Sequence, residues 1–497
     1  MGFNRFFGAS ILSLAILAGC GGGGDGTAPA AGGGGGGGGT TTSGQLTNSP
    51  IDGVPYSAAP SGLTGTTMNG GMFNFQAGDT VTFNIAGVEI AVPGGTRITP
   101  QTLAEELANG NATTQANILA NLTTLFQTLD NDGDPENGSI TIRAGATLGN
   151  TDALLANLDD APATFQGELS SAITMGENLR DEGQPAPTVV TDIEAMLRFY
   201  RNELQGSWRL VNTVEDGVTR ATSADYQVLL SFDVGNSDAA ESGVVNSFVF
   251  SEYDITDPAD EFAFVGVGTT NYDSESGDFQ FTTLPRELIN GNGNSSTEND
   301  AVLYTSKVAL NGNQLVLTLT EGEITIVATF ERFNNVKDSL VGTWYEVFAE
   351  GDAGVTPVAA PNQGRVSFGP DVGSVFYYFL SSSRVMLVFT DLNDEFISDE
   401  RNGVVLANYS LNSAGTSLTF TDILLDTVSV DPVNNPALED GLTVAVGEAM
   451  LNDTNRELTD STDPMEEDVF TIFRILSLSE RVGAFEQAAP AEAVEAR

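Results

Sequence analysis

Three aspartates at alternate positions of one short loop have a spacing that could serve metal chemistry. Asp130, Asp132 and Asp134 are followed by Glu136, and Gly133 lies between them. Carboxylates arranged in this way can converge their oxygens on a hard cation, and oxygen is the ligand that Ca²⁺ takes in proteins. The sequence therefore offers a calcium site formed by these four acidic residues as its best local candidate for a cofactor.

A plain turn is the alternative interpretation of this acidic loop. The loop does not follow the EF-hand order, because Gly133 stands at its fourth position and Pro135 at its sixth. A polar helix end followed by an Asp/Gly turn needs no cation. Both interpretations stay open at this point.

The residue inventory argues against catalysis. The 497 residues contain no histidine and one cysteine, which excludes a Ser-His-Asp triad, a His-ligated zinc site and a haem ligated by histidine. No nucleophile elbow, P-loop or dinucleotide-binding glycine motif follows a predicted strand. Asp and Glu are so numerous that no pair of carboxylates stands out as a glycosidase site. We expect no enzymatic activity.

The N-terminus has the pattern of an export signal. Arg5 precedes an apolar run over 6–18 that is too short to cross a bilayer, and small residues lead to Cys20. Leu17-Ala18-Gly19-Cys20 resembles the lipobox of bacterial lipoproteins. The resemblance implies a signal peptide over 1–19 and a lipid on Cys20; the alternative is an ordinary secretory peptide followed by an unrelated cysteine. Because Gly21 is not Asp, it further implies the outer membrane, facing either the periplasm or the medium, with inner-membrane anchoring as the alternative.

A glycine-rich segment and a strongly acidic composition follow. Residues 20–48 include the glycine run 32–39 and are predicted to form a flexible tether. The net charge of −48 repels nucleic acid, so no nucleic-acid partner is expected. With 40% apolar residues the chain can nevertheless bury a sizeable core.

The next predicted units are a small β module over 49–142 and a helical connector over 143–203. Short alternating runs at 62–67, 71–75 and 78–83 predict a β-meander. These G-x-T, F-x-F and G-D-x-V-x-F patterns resemble the prealbumin-like β modules of bacterial surface lipoproteins and adhesins. Apolar residues at helical spacing predict a helix over 118–129, and a further helix is predicted over 192–204.

The second half of the chain contains an internal repeat. Its two tryptophans, Trp208 and Trp344, follow Gly-Ser and Gly-Thr respectively and lie 136 positions apart. Later landmarks, ending at Arg332 and Arg474, keep a similar offset that grows slowly to 142. This predicts a duplicated domain, over 204–336 and 337–480, followed by a disordered tail over 481–497. Alternating short strands separated by Gly/Asn turns predict an antiparallel barrel for each unit.

The G-x-W motif on the opening strand and the arginine on the closing strand are similar to lipocalins and lipocalin-like bacterial domains. This resemblance implies two tandem lipocalin-like barrels in a mainly β chain. It also implies that Trp208 packs on Arg332, and Trp344 on Arg474, as structural residues that close each barrel base. The aromatic run at 375–380 alternates with apolar side chains on both faces, so one face is predicted inside a barrel. The other face either covers the partner barrel or forms an exposed patch for a ligand or membrane.

Two functions remain after this reasoning. The first is a membrane-anchored envelope lipoprotein that binds or carries a hydrophobic small molecule, such as a fatty acid, wax ester or hydrocarbon, in its barrels. Its partners would be the membrane, which it contacts through its N-terminal lipid, and an envelope transport or surface protein. The second is a cell-surface adhesin or scaffold lipoprotein that acts through protein contacts. Fold alone does not decide between them, and a barrel packed with side chains would have no cavity for a ligand.

Overall fold

The computed structural model describes most of the chain after the glycine run. The described residues are 40–497 except for 135–138, 216, 235–243, 258–260, 274–277, 284–285, 291–294, 299–301, 322–323, 348–373, 391–402, 429–437, 439–440, 449–454, 461–467, 478–479 and 481–497. The predicted signal peptide, Cys20, Glu136 and the predicted tail lie outside them.

The N-terminal part forms three small sheets. One has the order β5-β1-β8, another β4-β3-β6-β7, and β2 pairs with β9. The strands are β1 (Thr41–Leu46), β2 (Ile51–Asp52), β3 (Pro55–Ala59), β4 (Thr64–Thr66), β5 (Met72–Gln76), β6 (Thr80–Ile85), β7 (Val88–Pro93), β8 (Arg97–Ile98) and β9 (Ile140–Thr141).

The predicted strands are present as β4, β5 and β6, but the predicted meander is wrong. β4 pairs with β3, β5 with β1, and β6 with β3 and β7. Buried Asp79 contributes to this pairing, because its carboxylate accepts hydrogen bonds from Ser61 N at 2.9 Å and from Gln76 N at 2.7 Å. These bonds tie the turn after β3 to the turn before β6, and β6 pairs with β3.

The predicted tether also ends earlier than expected. β1 lies within 20–48, pairs antiparallel with β5 and parallel with β8, and buries Leu46 completely. Gly44 has a packing role there, since a Cβ at this position would lie 2.4 Å from both Gly95 O and the Phe73 ring. A glycine required for close approach of two segments is indistinguishable, in composition, from a glycine in a linker.

The described residues contain five helices, and helices are present at both predicted ranges, 118–129 and 192–204. They are α1 (Pro100–Ala108), α2 (Ala112–Thr128), α3 (Thr151–Ala156), α4 (Pro162–Thr174) and α5 (Asp192–Leu204). Thr191 caps α5 in a reciprocal box with Glu194, which fixes where that helix begins. From Ile118 onward α2 is buried on all sides, because its polar face is covered as well: Gln127 Nε2 donates to Ala195 O of α5 at 2.8 Å.

The first β unit is a curled antiparallel sheet of eleven strands. Its pairings run β10-β12-β13-β14-β15-β18-β19-β20 and return to β10, with β11, β16 and β17 attached at the sides. Its strands are β10 (Gly206–Glu215), β11 (Val218–Ala221), β12 (Tyr226–Val234), β13 (Val244–Asp254), β14 (Phe262–Asp273), β15 (Asp278–Thr283), β16 (Arg286–Asn290), β17 (Ser295–Glu298), β18 (Val302–Asn311), β19 (Gln314–Glu321) and β20 (Ile324–Arg332).

The second unit is a closed antiparallel barrel of eight strands in sequence order. They are β21 (Gly342–Val347), β22 (Ser374–Phe379), β23 (Arg384–Thr390), β24 (Gly403–Leu411), β25 (Ser417–Asp426), β26 (Thr443–Val446), β27 (Asn455–Asp460) and β28 (Asp468–Arg474). The mainly β fold class with barrel architecture is thereby confirmed.

Buried apolar side chains form three clusters. The first is continuous from the small N-terminal sheets, through the helices, to the inner face of the first unit. The second fills the closed barrel, and the third lies between the two units. Tyr377 and Phe379 belong to the barrel interior, whereas Phe376 and Tyr378 belong to the cluster between units. The prediction that the second face of this aromatic run covers the partner unit is confirmed.

Candidate functional site

The structure brings each tryptophan together with the arginine that the sequence pairs with it. Trp208 pairs with Arg332 across β10 and β20, and Trp344 with Arg474 across β21 and β28. The guanidinium carbon lies 4.3 Å from the ring centroid in the first pair and 4.0 Å in the second. Both indoles are fully buried. A desolvated cation over an indole face contributes about 2 kcal/mol to stability.

The two junctions also share their hydrogen bonds. Trp208 Nε1 donates to Leu204 O at 2.7 Å, and Trp344 Nε1 donates to Leu340 O at 2.7 Å. Arg332 donates to the carbonyls of Glu203 and Gln205. In the second unit, Arg474 donates to the carbonyls of Val336 and Ser339 at 3.1 and 2.5 Å. Each arginine thus holds the end of the closing strand to the segment that leads into the opening strand.

The first junction contains a buried carboxylate, Glu203. It forms ion pairs with Arg97 from β8 and, at 3.7 Å, with Arg332 from β20. Glu203 Oε1 also accepts a hydrogen bond from Thr47 Oγ1 at 2.7 Å. Burial, with Arg97 beside it, lowers the pKa of Arg332, and the Glu203 carboxylate opposes that shift. One carboxylate therefore joins the N-terminal sheet, helix α5 and the first β unit.

Helix α5 also inserts a side chain into the first unit. The Tyr200 ring lies 4.5 Å from the Phe279 ring and 5.3 Å from the Tyr272 ring, measured between centroids. Phe279 and Tyr272 are paired residues of β15 and β14 whose side chains share the inner face of the sheet. Burial raises the pKa of Tyr200. The α5 end of the first unit is thereby filled by an aromatic side chain from outside the sheet.

The inner faces of both units are packed with large apolar side chains. In the first unit Phe232, Phe248 and Phe330 have no accessible surface, and in the barrel Phe379 and Leu418 have none. A water-sized void beside any of these side chains would leave accessible surface on it. The two interiors are therefore close-packed around these five side chains, whereas Tyr377, Leu387 and Phe420 of the barrel interior keep 9%, 5% and 4% of their surface accessible.

Partial exposure is found at the ends remote from the tryptophans. Phe264 and Phe389 are the partly buried aromatics there. In the first unit Arg220 lies over the Tyr226 ring at 3.8 Å and forms an ion pair with Asp254 at 2.7 Å. These described residues of the mouth are thus polar and paired with one another.

The acidic loop is positioned by hydrogen bonds within the chain. Asp130 is buried, and its Oδ1 accepts from Thr141 N at 2.9 Å; Asp132 Oδ1 accepts from Asp134 N at 2.8 Å. Gly133 allows the Arg180 guanidinium to approach, since a Cβ at 133 would lie 2.3 Å from it. The positively charged Arg180 side chain therefore already lies against the acidic loop.

The structure does not assemble the three described candidate ligands, Asp130, Asp132 and Asp134, into a cage. Among the described residues no group of three or more acidic, histidine or cysteine side chains could hold a metal ion. Glu136 lies outside the described residues. Calcium binding stays a prediction, and we expect saturating Ca²⁺ to raise the melting temperature of the wild-type protein by a few degrees but not that of Asp132→Ala. Mg²⁺ at equal ionic strength is the control. Equal melting curves with and without Ca²⁺ would leave the plain turn as the correct interpretation.

Asp130 predicts a pH dependence of stability. Burial, followed by the nearby Asp132 carboxylate, raises its pKa to about 7 against the hydrogen bond from Thr141. In the unfolded chain this carboxyl loses its proton near pH 4, whereas in the native state it keeps the proton up to about pH 7. Between these two pH values the native state binds more protons than the unfolded state, so the free energy of unfolding falls as the pH rises. The contribution is on the order of 2 kcal/mol.

Asp130→Asn provides the test, because its amide oxygen can still accept from Thr141 N. Urea unfolding at pH 4.5 and pH 7.5 should show a smaller pH-dependent loss in the variant than in the wild type. Asp159→Asn, at a loop near the same helices, serves as the control. An identical pH dependence in wild type and Asp130→Asn would refute the assignment.

Sequence reasoning missed Glu203 and Tyr200. Both lie on the predicted helix 192–204, whose pattern indicates an apolar stripe but not what the stripe contacts. Glu203 looks like an ordinary charged residue at a helix end. The one available signal was its place five residues before Trp208, at the junction that the tryptophan marks.

The fold places this chain among mainly β proteins that contain an eight-stranded antiparallel barrel closed at one end by a Trp–Arg pair. Comparison with protein-family models, with curated proteins and with solved structures found no match. In the part of the chain that the structure describes, no helix is both long and apolar enough to cross a membrane.

Proposed function

We propose that this protein is an envelope scaffold, a lipid-anchored protein that acts through contacts made by its outer surface. The observation that carries the proposal is the close packing of both inner faces, where Phe232, Phe248, Phe330, Phe379 and Leu418 have no accessible surface. A carrier of hydrophobic molecules needs an interior volume of several hundred Å³. Around these described side chains that space is already filled.

The continuity of the body supports the same proposal. One apolar cluster runs from β1 to β20, and a second apolar cluster holds the two β units together. Arg384 of the barrel donates to Ala224 O of the first unit at 2.7 Å, and Tyr253 Oη donates to the same carbonyl at 3.0 Å. Several linked segments with a shared core give a stiff body, which suits a protein that presents surfaces at a fixed spacing.

The lipid anchor belongs to the proposal. Cys20 follows small residues after an apolar run, and the glycine run 32–39 would hold the body clear of the headgroups. Growth with a clickable fatty acid should label the wild-type protein, whereas Cys20→Ser should not be labelled. We propose the outer membrane as the site of attachment, and cell fractionation distinguishes it from the inner membrane.

Binding measurements test scaffold against carrier. The protein lacking residues 1–39 is titrated with a fluorescent fatty acid, and we expect no saturable binding at up to about 100 µM ligand. Chemical cross-linking on whole cells should connect the wild-type body to another envelope protein, with the link lost in Cys20→Ser. Saturable binding of one ligand per chain, without any cross-linked partner, would overturn the scaffold proposal.

The second candidate is a carrier with a shallow site at a barrel mouth. The partial exposure of Phe264 and Phe389 at the ends remote from the tryptophans favours it. In that case Phe389→Asp should abolish the binding measured in the fatty-acid titration, whereas Leu411→Asp, an exposed position on the same barrel, should leave it unchanged.

A further inference from the structure

We infer that the two β units bind each other as an isologous pair, in which the same face of each unit meets the same face of the other about a local twofold axis. The partner of each face is therefore the equivalent unit of this chain. Four sets of contacts lead to this inference.

Strand register identifies the equivalent residues. The two tryptophans are equivalent, and the residue paired with each one on the next strand is therefore equivalent as well. In each unit, the cross-strand partner on the next two strands is then read off in turn, which gives a series of matched inner-face residues. The matched pairs are Leu230 and Tyr377, Phe250 and Leu387, and Gly266 and Val405.

The residue that precedes each of these has its side chain on the opposite, outer face. The resulting outer pairs are Leu229 and Phe376, Val249 and Met386, and Val265 and Val404. All six residues lie in the apolar cluster between the units. Each unit thus contributes the same positions of the same three strands, as an isologous interface requires.

Residues close to a twofold axis contact their own equivalents. Ser231 and Tyr378 follow Leu230 and Tyr377, so they are equivalent by the same register. Their hydroxyl groups are hydrogen-bonded across the interface at 2.9 Å. Tyr378 is fully buried, and burial raises its pKa to about 12 against that hydrogen bond.

The segments after the closing strands are reciprocal too. Phe333 N donates to Ser207 O at 2.8 Å, and Ile475 N donates to Thr343 O at 2.9 Å. Phe333 and Ile475 both belong to the cluster between the units.

Two positions further on, each segment meets the opening glycine of the other unit: Ser477 does so across the interface, and Asn335 does so within the segment that connects the two units. A Cβ on Gly206 would lie 3.2 Å from Ser477, and a Cβ on Gly342 would lie 2.2 Å from Asn335. Both glycines have positive φ, at 104° and 132°. The tail of each unit therefore packs on the opening glycine of the other unit.

Cutting the linker in the full chain tests this inference. A protease site is inserted between the exposed residues Lys337 and Asp338, and the halves of the cut protein are followed by size-exclusion chromatography and sedimentation. We expect the halves to remain associated with a Kd of about 1 µM or lower, since the interface is apolar and buried. Separation of the halves at 10 µM would overturn the inference.

Equivalent substitutions test the symmetry. Val249→Asp and Met386→Asp bury an unpaired charge at matched positions, so each should raise the Kd between the cut halves at least about tenfold, and to a similar extent. Val218→Asp, at an exposed position of the first unit, is the control and should leave the Kd unchanged. A large effect from only one of the two would show that the faces are not equivalent.

Folding of each variant is checked before the linker is cut, by near-ultraviolet circular dichroism of the uncut chain. If either aspartate variant fails to fold, the milder matched pair Val265→Ser and Val404→Ser replaces it, with the same requirement of equal weakening. Unequal weakening by this pair would likewise contradict the isologous arrangement.

Discussion

Replacing Glu203 by Gln should lower the free energy of unfolding of the N-terminal part and first β unit by about 3–5 kcal/mol, because two buried guanidinium groups lose their shared counter-charge. Arg97 and Arg332 both form ion pairs with the Glu203 carboxylate. The side chains of Arg332 and Glu203 are almost entirely removed from solvent. The amide oxygen of the glutamine can still accept the hydrogen bond from Thr47 Oγ1. The loss of the negative charge therefore dominates the effect on stability.

Denaturant unfolding followed by Trp208 fluorescence, in a Trp344→Phe background, measures this change. Glu331→Gln is the matched control: it removes a carboxylate from the ion pair with Arg209, whose two side chains are 34% and 46% exposed. Exposed pairs contribute only about 0–1 kcal/mol, so the control should unfold close to the wild type. Equal unfolding midpoints for the Glu203 and Glu331 variants would contradict the bridging role of Glu203.

The second large effect is expected at the base of the barrel. Trp344→Ala removes the indole from the interior cluster, from the Arg474 guanidinium and from Leu340 O together. Deleting a fully buried tryptophan costs about 3–5 kcal/mol, and loss of the cation contact adds to it. We expect the barrel to unfold at markedly lower urea concentration than the first unit.

Trp344→Phe is the informative comparison, since it keeps an aromatic face for Arg474 and loses only part of the volume and one hydrogen bond. Its expected cost is roughly 1–2 kcal/mol. Trp208 then reports on the first unit, and circular dichroism reports on both units. If Trp344→Ala unfolded at the same midpoint as the wild type, the indole would have no special part in closing the barrel.

The Trp–Arg pairs and the mainly β class could be found from the sequence because they depend on local signals. A tryptophan after glycine, repeated 136 positions later, needs no knowledge of tertiary contacts. Strand alternation and the Leu310-Asn311-Gly312-Asn313 turn are likewise local; the structure has Asn311 paired with Gln314 around that turn. The helix at 192–204 was predictable from its periodicity, and the structure adds the Thr191–Glu194 cap.

Features that depend on distant contacts were not predictable. The short strand β1 has the composition of a linker, and only its pairing with β5 and β8 makes it part of the fold. The Glu203 network joins residues more than one hundred positions apart, such as Arg97 and Glu203. The turns of the small N-terminal sheets are linked by hydrogen bonds to Asp79, which no periodicity reveals. How tightly the inner faces pack depends on the volumes of side chains from different strands. The alternation of apolar and polar residues along one strand does not give this information.

The hydrogen bond between Thr47 and Glu203 has a mechanical consequence. Thr47 follows β1, the first described strand, and the two residues are 156 positions apart in the chain. Tension applied through the preceding segment would reach the first β unit directly through Thr47, Glu203 and Arg332, bypassing the intervening chain. Under load this short polar bridge would keep the N-terminal sheets and the first β unit moving together.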